Sequence, residues 1–130
     1  MSASGAGYRR LLASVLDRAD DPVEGLLEFF RLAADALESS DFADGCPVAT
    51  TALDTASTDP VVREACARVL ESWVDDIAAA LRPAFGPRAR PLAVTGLATL
   101  EGAFVLCRAS RSVQPLHDAG SELGRLLRPD

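Results

Sequence analysis

The sequence contains no lysine: all 13 of its basic side chains are arginine, set against 19 acidic ones, for a net charge of −6. Phosphate backbones are held by many Lys and Arg contacts that release counterions, and no stretch here concentrates the arginines, so a nucleic-acid face is excluded. Arginine can still serve a local carboxylate or anion site through its planar, bidentate fork. The single histidine and three cysteines, Cys46, Cys66 and Cys107, lie far apart with no Cys-x-x-Cys pairing. That spacing excludes a zinc site and a disulfide framework, so reduced thiols are expected and no metal or cofactor. No apolar run approaches the roughly 18 to 20 residues that span a bilayer, and Met1 to Gly7 is not a basic-then-apolar leader, so a cytoplasmic chain without membrane contact is expected. Strand signals are nearly missing: no segment alternates apolar and polar, and Ala and Leu outnumber β-branched residues.

What is present is helical periodicity. A chain of 130 residues, 48% hydrophobic and 25% charged, has the length and make-up of one globular domain. We expect a single all-α domain of about six helices over residues 1–130, with 1–7 disordered. Tyr8, Leu11, Leu12, Val15, Leu16 and Ala19 recur at three- and four-residue steps and predict a helix ending near Asp20. Asp21 then caps a second helix, Pro22 fits its first turn, and Val23, Leu26, Phe30, Ala33 and Leu37 form its apolar stripe. On its polar face Arg31 and Asp35 stand at pairing distance. Ser39 to Pro47 reads as a loop and Val48 to Ala56 as a short helix. Asp59 and Pro60 repeat the start signature for a helix carrying Val62, Cys66, Val69, Trp73, Ile77 and Leu81 up to Pro83. Pro83, Gly86, Pro87 and Pro91 are expected to break the chain before Leu92.

From Leu92 to Ala109 almost every position is apolar or small, and a helix apolar on all sides must be covered on all sides. Ser112 can cap the last helix, Val113 to Arg128, on which Val113, Leu116, Gly120, Leu123, Gly124 and Leu127 share one face. A glycine inside a helix costs about 0.8–1 kcal/mol relative to alanine. Two of them four residues apart on the apolar face would let another helix backbone come close.

The string Gly45-Cys46-Pro47-Val48-Ala49, the Asp-Pro helix start, then Leu100-Glu101-Gly102-Ala103 and Arg108-Ala109-Ser110-Arg111-Ser112-Val113-Gln114-Pro115-Leu116 together resemble the C-terminal half of TetR/AcrR-type transcriptional repressors. The branch it looks most like is that of the LmrA/YxaF-like regulators, over about Leu11 to Leu127. The resemblance implies a helical bundle that binds an effector and pairs as a homodimer through its last two long helices. It therefore implies interface roles for Leu100, Val105, Leu116, His117, Gly120, Leu123, Gly124 and Leu127. Family members carry a helix-turn-helix head before this body. Nothing ahead of Tyr8 could form one, so this chain is expected to make no direct nucleic-acid contact, and Tyr8 to Ala19 resembles the far end of the linking helix.

Phe30, Val69, Trp73, Ile77, Leu97, Glu101 and Phe104 are the candidate ligand-binding residues, with Phe29 a similar case. Trp73 is either a large core residue or a pocket wall, since drug-sized ligands sit among apolar and aromatic groups. Glu101 is the more informative, because its helical neighbours are Leu97, Ala98, Phe104 and Val105. A carboxylate there is protonated, paired with an arginine such as Arg108, or turned to a polar ligand. Arg108 and Arg111 are read as helix C-terminal caps. His117 and Asp118 are sequence neighbours whose side chains diverge on a helix, so no catalytic relay is expected. Cys46 is read as a structural corner or an exposed thiol. Two further functions stay open: a stand-alone helical module that pairs with full-length repressors, and a cofactor-independent enzyme using Glu101 as acid or base.

Overall fold

The computed structural model describes residues 5–43, 45–46, 54–55 and 57–128. Helix α1 spans Gly5–Arg18, α2 Pro22–Ser39, α3 Pro60–Phe85, α4 Ala89–Ser110 and α5 Gln114–Leu127, with a 3-10 turn at Gly86–Arg88. Because that turn joins α3 to α4 with no non-helical residue between them, helix runs in four continuous stretches longer than one turn among the described residues, not the expected six or so. The proline-rich segment that was expected to break the chain makes only a corner. Pro83 stands in the last turn of α3, where it forfeits one N–H bond, and Gly86 takes the positive φ of 56° that turns the chain. Pro91 lies in the first turn of α4, where no N–H is needed, so this helix begins three residues ahead of Leu92. The short helix expected at Val48 to Ala56 falls outside the described residues except for helical Asp54 and Thr55. Helix α1 already takes in Gly5 to Gly7, part of the stretch expected to be disordered.

Both Asp-Pro starts form as the sequence indicates. Asp21 accepts from the Glu24 amide at 2.8 Å, and Asp59 accepts from Val61 and Val62 at 3.0 and 3.2 Å. Ser112 Oγ accepts from the Gln114 amide at 3.1 Å. Arg31 pairs with Glu28 and Glu24 at 2.7 and 2.9 Å rather than with Asp35. Helical side chains lean toward the N-terminus, which carries the guanidinium back along its ridge and away from Asp35.

One apolar core runs through all five helices, from Leu12 and Val15 of α1 to Leu116, Leu123 and Leu127 of α5. Helix α5 packs against both α2 and α4, α3 against α4, and α1 against α2 and α3. The close approach that the glycine pair of α5 permits is made inside the chain, by α2. A methyl group on Gly120 would meet Phe30 at 3.4 Å, and one on Gly124 would meet Leu27 Cδ1 at 2.9 Å. Arg128 closes the bundle by donating to both carboxylate oxygens of Asp21 at 2.7 and 2.8 Å, and Arg9 ties α1 to Asp76 of α3. The Glu24 amide, with Arg128 beside it, holds the Asp21 carboxyl below its ordinary range. These pairs are exposed and add little stability each.

Candidate functional site

A cavity of about 20 Å³ lies where α1, α2, α3 and α4 converge. Six of the seven expected ligand-binding residues, Phe30, Trp73, Ile77, Leu97, Glu101 and Phe104, line it together. The seventh, Val69, sits a turn before Trp73, half-buried against the core and outside the lining. Leu12, Leu26, Phe29, Leu100, Gly96 and Cys46 complete the wall. Trp73 and Ile77 face it because they are four apart on α3, and Leu97, Leu100, Glu101 and Phe104 because they follow three- and four-residue steps on α4. Leu12 and Cys46 escape periodicity reasoning, since one comes from a separate helix and the other from a connection.

That connection is held by arginines. Asp41 and Phe42 leave α2 with positive φ of 55° and 64°, which side-chain-bearing residues rarely adopt. Arg111 pairs with Asp41 at 2.6 Å and lies over the Phe42 ring at 5.3 Å, while Arg108 Nε donates to the Phe42 carbonyl at 3.3 Å. The two arginines read as helix caps thus fasten the exit of α2, a few residues from Cys46. Instead of an exposed thiol, Cys46 is buried at 4% exposure and donates to the Glu101 carboxyl.

Glu101 has no arginine partner, because Arg108 is turned to Phe42. Its Oε1 is closed off from solvent and makes no hydrogen bond. Burial pushes the carboxyl pKa up, and the Cys46 thiol offsets this in part. A carboxyl pKa higher in the folded than in the unfolded chain means the folded state binds more protons, so its contribution to stability is full below the ordinary value of 4.5 and is lost as pH rises through the raised one. We expect Glu101→Met to be more stable than the parent at pH 8 by about 1–3 kcal/mol, the cost of an unsatisfied buried polar group. The gain should shrink at pH 4. Urea melts at both pH values check this, and an equal difference at the two would mean that the carboxyl does not titrate abnormally.

Of the eight expected interface residues, Leu100, Leu116, Gly120, Leu123, Gly124 and Leu127 are buried within the subunit, whereas Val105 and His117 face outward. Sequence periodicity marks an apolar face without saying which neighbour covers it. On the outer side of α4, Val94, Val105 and Leu106 are 49%, 61% and 60% exposed, and Gly102 has open space beside it.

The described residues thus form an all-α bundle around an aromatic-walled cavity. Comparison with known proteins makes the class specific. The family described as "Transcriptional regulator LmrA/YxaF-like, C-terminal domain" matches residues 22–122, and the chain belongs to it. The uncharacterized HTH-type transcriptional regulators Rv0196 and MT0206 of two Mycobacterium tuberculosis strains are each 33% identical over 143 aligned positions, covering 93% of this chain and 72% of theirs. The HTH-type regulator YxaF of Bacillus subtilis is 29% identical over 70 positions, covering 54% of this chain and 37% of its own. The chain is thus a TetR/AcrR-type C-terminal regulatory domain, and its role is non-enzymatic.

Proposed function

We propose that this domain senses an apolar small molecule and pairs two copies of a cytoplasmic TetR-type repressor, altering DNA binding by an N-terminal helix-turn-helix head. The observation that carries the reading is the position of the cavity: Leu12 of α1, on the segment that resembles the linking helix, forms one wall of it. A cavity of about 20 Å³ has room for little more than a water molecule. An effector must therefore spread α1 and α2 from α4, which favours one helix arrangement over another and moves the start of α1.

Pairing is supported by what one subunit leaves uncovered. Contrary to the expectation that no apolar run reaches spanning length, the Pro60–Ser110 stretch, continuous because the proline-rich corner does not break it, includes an 18-residue window with mean hydropathy 1.4, apolar enough by composition to cross a membrane, yet only 33% of that window is buried in the subunit. In a repressor the remaining surface of α4 is covered by a second copy, with Val94, Gly102, Val105 and Leu106 at the seam and His117 of α5 beside it.

Trp73 is the only tryptophan and lines the cavity, so effector binding should shift its emission. At a hundredfold excess over Kd the effector should also stabilise the fold by about 2.7 kcal/mol. Gly96→Phe, which fills the cavity from α4, should lose both responses. Undiminished binding by that variant would locate the effector elsewhere.

A further inference from the structure

We propose that the effector is an apolar, aromatic-sized molecule bearing a single positive charge, a protonated amine whose nitrogen pairs with Glu101. The inference rests on the effector reading of the cavity and deepens it. Its first ground is the carboxyl itself: Glu101 lines the cavity, and its Oε1 is shut off from water and has no partner. Buried polar atoms almost always have one, so this oxygen is an acceptor left open. Its second ground is the wall. Phe29, Phe30, Trp73 and Phe104 stand around the cavity, and the faces of aromatic rings attract cations. The third is the absence of competition. Among the described residues, the lining from α1, α2 and α3 is aliphatic or aromatic, the only other titratable group in it is Cys46, and the nearest arginine on the same helix, Arg108, is engaged with Phe42.

The proton count closes. In the empty domain Glu101 is held toward its neutral form. An arriving ammonium restores the carboxylate, and one proton leaves to solvent while the amine keeps its own. Affinity for an amine therefore rises with pH until the free carboxyl is already ionised, and is flat above that point. A ligand offering only an acceptor would show the opposite trend, because it needs the acid form as donor.

The test uses three ligands on one scaffold, 4-phenylbutylamine, 4-phenylbutanol and 4-phenylbutyrate, titrated against Trp73 emission at pH 5 and pH 8. The amine should bind at least about tenfold tighter than the alcohol at pH 8, as a charge-assisted hydrogen bond warrants. Its preference should shrink at pH 5, and the carboxylate should bind weakest. Glu101→Gln should bring amine and alcohol to within about twofold and remove the pH trend, while its unchanged alcohol affinity reports an intact cavity. Equal binding of amine and alcohol by the parent, or a preference that survives Glu101→Gln, overturns the cationic ligand and leaves the cavity as an effector site. If none of the three moves Trp73 emission at millimolar concentration, the effector reading falls with it.

Discussion

Leu116→Ala is expected to destabilise the domain by about 2–5 kcal/mol, the range for deleting a buried leucine side chain and leaving part of its volume empty. Leu116 is at 0% exposure near the start of α5, and that helix packs against α2 and α4. The surrounding helices cannot simply close the gap, because Gly120 and Gly124 already bring α5 to the side chains of Phe30 and Leu27. A domain of this size has a total stability of roughly 5–15 kcal/mol, so the loss is a large part of the whole. Urea unfolding followed by far-ultraviolet circular dichroism measures it. The same variant separates two roles for the α5 apolar face. A core residue costs stability by the same increment at every protein concentration, whereas an interface residue weakens pairing and leaves the subunit intact. A change below about 1 kcal/mol, or a loss that appears only on dilution, would return Leu116 to the interface implied by the family resemblance.

Val105→Glu should do the reverse. Val105 is 61% exposed on α4, so a carboxylate there remains in water in a single subunit and the helix is undisturbed. Paired copies would bury it against its like, costing about 2–3 kcal/mol and weakening association roughly a hundredfold. The net charge of −6 adds to the repulsion. Sedimentation equilibrium of parent and variant, with circular dichroism to show unchanged helix content, is the measurement. Association as strong in the variant as in the parent would move the seam away from the outer side of α4.

These two variants mark the line between what periodicity revealed and what it did not. The Asp-Pro starts of α2 and α3, and the shared faces of Trp73 with Ile77 on α3 and of Leu97 and Glu101 with Phe104 on α4, follow from three- and four-residue spacing and local capping chemistry, both legible within a few turns of chain. The corner at Gly86–Arg88 was harder, because four proline and glycine signals suggested a break. Proline is harmless in a first turn and costs only one bond in a last one, so two helices could meet there with three residues between them. Arg31 was placed correctly on a polar face, but its partner depended on the lean of the side chain.

The amino-acid order by itself determined an all-helical fold class, its acidic character, the family signature, and which face of each helix is apolar, because these depend on composition and on interactions between near neighbours. Only the tertiary structure decided that the glycine face of α5 meets α2, that Leu12 and Cys46 reach the cavity, and that Glu101 goes without an arginine. Those outcomes turn on contacts between residues far apart in the chain. An apolar stripe specifies that it will be covered, and burial, being non-directional, leaves open by what.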